Sequence, residues 1–170
     1  MSDFTTWRSL VDGEEIDVIP DRSVCRVDDN GSTTEETRKR GVSFETSDEW
    51  LDFDIQISSE TSGVTRAYIH DTSDGSLVAD KDISGKSGGD VVSFESVNLE
   101  AESEYAAVLD AEGSDYTEGF ENEGEWQPPL ASDDGELVLT GRIMDSDDLD
   151  NPDTSTDVSV HNVVCVGNLS

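Results

Sequence analysis

Residues 50–58 of the chain read WLDFDIQIS, and apolar and polar side chains alternate along them. A β-strand places successive side chains on opposite faces, whereas a helix would scatter these apolar residues around its circumference. We therefore expect a half-buried strand in which Asp52, Asp54 and Gln56 face water. The apolar residues expected to face a core are Leu51, Phe53, Ile55 and Ile57.

Similar short stretches recur along most of the chain, separated by clusters of Gly, Asp, Ser and Asn. Turn signals such as Asp74-Gly75 and Asp134-Gly135 fall between them. Regular short strands of this kind favour an all-β fold, an antiparallel β-sandwich of jelly-roll type. The long polar stretches at residues 30–36 and 121–134 are expected to be loops. The expected strands cover residues 24–27, 42–45, 50–58, 65–71, 76–82, 90–99, 104–110, 116–120, 136–144 and 157–167.

The first 22 residues differ in pattern from the rest of the chain. Phe4, Trp7 and Leu10 fall at helical spacing, and Gly13 follows as a candidate helix end, which predicts a short N-terminal helix. An extended arm is expected to follow it and to end at Pro20. The sequence thus divides into an N-terminal segment, residues 1–22, and an acidic β-sandwich domain, residues 23–170.

The charge balance excludes two classes of partner. The 170 residues include 41 acidic and 10 basic side chains, for a formal net charge of −31. Nucleic-acid binding needs clustered Lys and Arg to displace counterions from phosphates, and an anionic membrane surface would repel this chain. No apolar run is long enough for a membrane helix, and the opening MSDFTTW is no secretory signal, so we expect synthesis in the cytoplasm.

High net charge is also typical of disordered chains, but here the acids are interleaved with apolar residues at strand spacing. Only three of the basic residues are lysines, Lys39, Lys81 and Lys86. This composition resembles that of proteins from extreme halophiles. In salt at about 1 M, charges are screened beyond about 3 Å, so a surface that would repel itself in dilute buffer is tolerated. We expect the fold to loosen in dilute buffer.

A dense run of carboxylates between residues 145 and 153 has two interpretations. Calcium and magnesium take oxygen ligands, so the run is a candidate Ca²⁺ or Mg²⁺ site, although it lacks the glycine and glutamate of an EF-hand loop. The alternative is a solvated acidic loop of the kind expected in a chain this acidic. The candidate ligands are Asp145, Asp147, Asp148, Asp150 and Asp153.

The two cysteines also leave two alternatives open. Cys25 and Cys165 lie in the first and last expected strands of the domain, so they form a disulfide if those strands pair, or else remain buried reduced thiols. A zinc site would need more closely spaced Cys and His residues than this chain contains. No serine lies in a Gly-x-Ser-x-Gly or similar nucleophile motif, so we do not expect an enzyme.

Two tryptophans are candidates for contact with a glycan, because sugar rings stack on exposed aromatic rings. Trp50 is expected to point away from Phe53, and Trp126 lies on a proline-rich loop. The alternative is that both rings pack against a neighbouring loop or subunit.

The stretch FTTWRSLVDGEEIDVIPD, residues 4–21, resembles the N-terminal segment of virion proteins from haloarchaeal tailed viruses. In that group a short segment precedes acidic β domains, and residues 42–120 resemble the sandwich repeats of tail-fibre and adhesin-like modules. The resemblance implies a docking element that inserts into another virion protein, unless the same residues cover one end of their own sandwich. The residues concerned are Phe4, Trp7, Leu10 and Ile16.

The function implied by the resemblance is structural and non-enzymatic. The chain would lie on the virion exterior, as a head turret, tail fibre or baseplate component, after synthesis in the host cytoplasm. Its expected partners are other virion proteins, further copies in a trimer or pentamer, and a host surface glycoprotein or glycan. The alternative function is a host-encoded halophilic glycan-binding accessory module.

Overall fold

A computed structural model describes residues 7–11, 14–18, 22–25, 32–120, 129–154 and 162–169, the first two ranges by their backbone. These residues form fourteen strands and one short 3₁₀ turn at Ser146–Asp148. The strands are β1 (Trp7–Val11), β2 (Glu14–Val18), β3 (Ser23–Cys25), β4 (Ser32–Glu36), β5 (Arg40–Thr46), β6 (Phe53–Ile57), β7 (Arg66–Asp71), β8 (Leu77–Asp82), β9 (Val91–Phe94), β10 (Ser103–Asp110), β11 (Tyr116–Phe120), β12 (Leu130–Ala131), β13 (Leu137–Ile143) and β14 (Val163–Gly167).

The described strands assemble into two main sheets and two ribbons. One sheet has six strands in the order β12-β13-β5-β10-β7-β8, and the other has four in the order β3-β14-β6-β9. The ribbons pair β1 with β2 and β4 with β11. Every pairing is antiparallel, so the predicted all-β, antiparallel, sandwich-like class is confirmed.

The core lies between the two main sheets. Phe44 on β5 of the larger sheet stacks on Phe53 on β6 of the smaller sheet, with ring centroids 4.7 Å apart. Alternate residues of β10, Tyr105, Ala107 and Leu109, join the same buried cluster. The alternate apolar residues of these strands are therefore the ones that face the core, as expected for half-buried strands.

The alternation of inward and outward side chains expected for residues 50–58 is wrong for the first residues of the stretch. The strand begins at Phe53, and Leu51 is 66% exposed because residues 51 and 52 form a bend. Trp50 instead makes an isolated bridge with Leu99 and is only 3% exposed. Asp54 is buried instead of facing water, and its carboxylate accepts a hydrogen bond of 3.0 Å from the backbone nitrogen of Leu169, which compensates for the burial.

The predicted N-terminal helix is wrong. Residues Trp7–Val11 form a strand whose register pairs Trp7 with Val18 and Val11 with Glu14. Asp12-Gly13 between the two runs is a hairpin signal, and a helix of two turns is too short to be stable without packing. Of the four predicted docking residues, Trp7, Leu10 and Ile16 lie on this hairpin, and Phe4 lies outside the described residues.

Most of the expected strands are confirmed within one or two residues, but three regions differ. Ser32–Glu36, expected in a loop, is a strand paired with Tyr116–Phe120, since threonine-rich segments suit strands. The strand expected over 90–99 ends at Phe94, before Ser96 with its positive φ of 58°. The loop expected at 121–134 contains the short strand β12, while residues 121–128 and 155–161 lie outside the described part.

Candidate functional site

The acidic run at residues 145–153 covers the outer face of the larger sheet. Leu149 is buried there with Ala106 and Val108, which face away from the main core. Asp145 accepts hydrogen bonds from the backbone nitrogen and hydroxyl of Ser146, at 2.6 and 3.1 Å. The loop is thus fixed by an apolar anchor and by a cap on its 3₁₀ turn.

The calcium or magnesium site expected at this loop stays a prediction, and one of its five carboxylates has a basic partner. Asp153 pairs with Arg142, whose Nη2 lies 3.0 Å from Oδ2. In the described part of the chain, no three His, Cys, Asp or Glu side chains converge as metal ligands would. Asp147 and Asp150 are exposed, and Asp145, Asp148 and Asp153 are half-buried, which favours the alternative of a solvated acidic loop.

The predicted glycan contact at Trp50 is wrong, because the ring is buried. It makes an edge contact with Phe53, with centroids 5.6 Å apart, and the guanidinium of Arg22 lies over the ring. A sugar ring cannot stack on a side chain enclosed in this way. Trp126, the second candidate, lies outside the described residues.

Arg22 anchors the point where the chain enters the sandwich. Its guanidinium carbon lies 4.3 Å from the centroid of the Trp50 ring, a cation–π distance. Its Nη2 lies 2.6 Å from Oε2 of Glu136, and its Nε lies 3.7 Å from Asp134. The backbone oxygen of Arg22 accepts a hydrogen bond of 3.1 Å from Asn168. We call Arg22, Trp50, Asp134 and Glu136 the junction.

Cys25, three residues after Arg22, forms a disulfide with Cys165, at a sequence separation of 140. The two cysteines are directly opposite in the register of β3 and β14, so the first and last strands of the domain do pair. The structure therefore has the disulfide and not the pair of reduced thiols. In the chain-entropy model a closed loop of this length stabilises the fold by about 5 kcal/mol.

A buried cluster of charged and polar side chains, which the sequence did not reveal, attaches the β4–β11 ribbon to the body. Nε of Arg40 lies 2.9 Å from Oε2 of Glu36 and 3.8 Å from Glu118, and all three side chains are buried. Asn162 donates a hydrogen bond of 3.0 Å to the hydroxyl of Tyr116. We call these five residues the buried charge cluster.

The protonation states in this cluster follow from burial and hydrogen bonding. Burial alone would raise the pKa of Glu36, but hydrogen bonds from Arg38, Arg40 and two backbone nitrogens lower that pKa far below its ordinary value of 4.5. Burial raises the pKa of Tyr116 above its ordinary value of 10.0, and the charge of Glu118 raises it further. Glu36 is thus a carboxylate and Tyr116 a neutral phenol at neutral pH.

A groove of about 480 Å³ lies between the edge strands β8 and β9. Lys81 reaches across it to donate a hydrogen bond of 2.5 Å to the backbone oxygen of Ser93. Lys86 caps the oxygen of Val91 at 2.8 Å. These two ammonium groups occupy acceptors on the free edge of β9, which discourages pairing with another strand.

Two of the three charged side chains that line the groove have partners. Asp80 pairs with Arg66 and Lys81 with Ser93, which leaves Glu95 as the other charged side chain of the lining. The described histidine, His70, lies elsewhere, buried with Nδ1 3.1 Å from the oxygen of Gly75. His161 lies outside the described residues.

Comparison of the chain with protein-family models, with curated proteins and with solved structures gives no match. The described residues include no helix long and apolar enough to cross a membrane. The structure therefore places the junction and the Cys25–Cys165 disulfide together, at the end of the sandwich where the N-terminal segment joins it.

Proposed function

We propose that this chain is a non-enzymatic structural protein on the exterior of a haloarchaeal virus, where its N-terminal segment docks into another virion protein. The observation that carries the proposal is the separation of the hairpin Trp7–Val11/Glu14–Val18 from the main sheets. Within the described pairings its strands bond to each other only. Such a ribbon, followed by the junction, suits a segment that binds elsewhere while the sandwich projects outward.

The proposed sandwich is of jelly-roll type. A jelly roll is a long hairpin wrapped into two sheets, so its strand pairs are nested from the outside inward. The pairs β3–β14, β5–β10, β6–β9 and β7–β8 are nested in this manner, and they alternate between the two sheets. On this assignment β4, β11, β12 and β13 are additions to an eight-stranded framework.

The surface chemistry supports a protein that works in brine. The net charge of −31 is tolerable where salt screens like charges. All three lysines have structural partners, because Lys81 and Lys86 cap β9 and Lys39 lies 4.1 Å from the ring of Tyr68. Lysine is thus retained where a specific contact needs it.

The disulfide supports an exterior location. Disulfides persist in oxidising surroundings and are rare in reducing cytoplasm. A protein made in the host cytoplasm and released at lysis would oxidise once the particle reaches the medium. We propose that its partners are other virion proteins, further copies in a trimer or pentamer, and a host glycoprotein or glycan bound during attachment.

The test is deletion of residues 1–18, which removes the hairpin and leaves Arg22 and Cys25 in place. We expect the shortened protein to fold with an intact disulfide and to be missing from particles, as measured by mass spectrometry of purified virions. The matched control is Arg22→Lys in the full chain, which keeps the hairpin and should enter particles. Incorporation of the shortened protein at the normal copy number would refute docking through this segment.

Mass spectrometry of the particles also distinguishes the positions on a virion. A few copies per particle would indicate the tail or baseplate, and tens of copies would indicate head turrets. The alternative function is a host-encoded glycan-binding module. Because Trp50 is buried, the aromatic candidate for glycan contact in that alternative is Trp126. Glycan binding at high salt that is abolished by Trp126→Ala would favour it.

A further inference from the structure

The chain enters and leaves the sandwich at the same place. Strand β3 begins at Ser23 opposite Gly167, the last residue of β14, and the next opposed pair is Val24 with Val166. Because the two strands are antiparallel, the segments before Ser23 and after Gly167 emerge at the same end of one sheet. Tension between them would separate the paired residues one rung at a time, starting at that end.

Without a covalent bond, a three-residue strand at the edge of its sheet and the contacts just outside it would resist such peeling in succession. Those contacts include the ion pair of Arg22 with Glu136, the hydrogen bond from Leu169 to Asp54, and the hydrogen bond from Asn168 to the oxygen of Arg22. Gly167 allows this close approach, since a side chain there would lie 2.3 Å from that oxygen. Edge pairs loaded in sequence separate at lower force than pairs loaded together.

The disulfide lies at the third opposed pair, Cys25 with Cys165. Cys165 belongs to β14, which is paired on both sides, with β3 and with β6. Tension that reaches Cys25 therefore passes covalently into an interior strand. When the two chain ends are pulled apart, the residues enclosed by the disulfide lie off the path of the force.

We propose that the Cys25–Cys165 disulfide is a mechanical clamp, which transfers tension from the N-terminal segment to β14 and keeps the sandwich folded when the chain ends are pulled. Covalent connectivity and strand order give the bond this role, whether or not the protein belongs to a virion. It gives the bond a role under load in addition to its effect on the unfolded state.

The test is single-molecule force spectroscopy on the full chain in multimolar KCl, with handles joined to the two ends by thiol-free chemistry. In the oxidised protein we expect release of at most about 100 Å of chain, from residues outside the enclosed loop. After reduction we expect a further release of about 500 Å, for a sequence separation of 140 at about 3.6 Å per residue. The double variant Cys25→Ser/Cys165→Ser should behave as the reduced protein.

A handle moved from the C-terminal end to the exposed turn at Gly113 provides the geometric control. Pulling from there loads residues inside the loop, so the oxidised sandwich should unfold as well. If the double variant does not fold, adding dithiothreitol to wild type under constant force gives the same comparison, as a long step that appears only after the reductant. Release of the long segment from the oxidised protein, or titration of two free thiols in the purified protein, would overturn the proposal.

Discussion

Arg40 and Glu36 form an ion pair inside the protein, with Nε of the arginine 2.9 Å from Oε2 of the glutamate. Arg40 opens β5, which belongs to the six-stranded sheet, and Glu36 ends β4, which belongs to the β4–β11 ribbon. The pair therefore joins two parts of the fold that do not share a strand pairing. Buried charges of this kind stabilise only as a set, because removing one leaves the other without compensation.

Replacing Arg40 by Met should strongly destabilise the protein. Met approximates the volume of the apolar stem but leaves Glu36 and Glu118 without this guanidinium, and breaking a buried pair costs about 3–5 kcal/mol. Chemical denaturation in multimolar KCl measures the loss. The control is Asp80→Asn at the exposed Arg66–Asp80 pair, where a loss of about 1 kcal/mol or less is expected. Equal losses in the two variants would contradict the structural role of the cluster.

Phe44→Ala should remove the stacking contact that joins the two sheets. Phe44 is fully buried against Phe53 and also lies 5.8 Å from the ring of Tyr105. Truncation of such a core phenylalanine costs about 3–5 kcal/mol, because a cavity remains. The midpoint of denaturation at constant slope measures this loss. Leu51→Ala, on a residue 66% exposed in the neighbouring bend, is the control and should be nearly neutral.

The sequence predicts those parts of the fold in which one face of a strand is buried. Alternation locates β5, β6, β7, β10 and β13 because most of their inward residues are apolar and their outward residues are mostly polar or small. It fails at Trp50, where an isolated bridge to Leu99 sets the direction of the side chain and no local pattern reveals the partner. The N-terminal segment misleads for a different reason, since Trp7 and Leu10 are three residues apart and fit a helix by coincidence.

The candidate site was predictable in part. Pairing of Cys25 with Cys165 followed from their places in the first and last strands once those strands were adjacent. The buried charge cluster could not be predicted, because Glu36, Arg40 and Glu118 resemble surface residues in a chain this acidic. Arg22 was missed in the same way, since its role depends on Trp50, Asp134 and Glu136 meeting at one place in the fold.

Acid should destabilise the protein through His70. Burial lowers the pKa of this imidazole below its ordinary value of 6.5, and the charge of Lys39 lowers it further, against hydrogen bonds to Gly75 and Ser76. The unfolded chain then binds the proton more readily than the folded one, so stability is full above about pH 6.5 and falls as the pH drops toward the folded pKa. Denaturation between about pH 7.5 and 5 in KCl measures the slope.

The variant His70→Gln should lose that slope, because the amide does not titrate. Two neighbours of the ring titrate outside this range. Burial raises the pKa of Tyr68 above its ordinary value of 10.0, and hydrogen bonds from Ser76 lower the pKa of Asp74 below its ordinary value of 3.8. A wild-type slope retained in His70→Gln would assign the pH dependence to another residue.

Addition of Ca²⁺ or Mg²⁺ should leave the melting temperature unchanged at constant ionic strength. Asp145 accepts hydrogen bonds from Ser146, Asp153 pairs with Arg142, and no three acidic side chains of the described residues converge as metal ligands would. Specific binding to the folded state at 100 times the dissociation constant would stabilise it by about 2.7 kcal/mol. A rise in melting temperature that Asp150→Asn abolishes would contradict this prediction.

Lowering the salt concentration should loosen the fold. The net charge of −31 creates repulsion that the hydrophobic core must overcome, and the Debye length grows from about 3 Å at 1 M to about 10 Å at 0.1 M salt. Circular dichroism during thermal unfolding should therefore show a lower and broader transition in roughly 0.1 M KCl than in multimolar KCl. Potassium chloride and potassium acetate should be equivalent if screening is the cause. Identical cooperative transitions at both salt concentrations would show that the disulfide and core suffice without screening, and that the acidic surface is not an adaptation to brine.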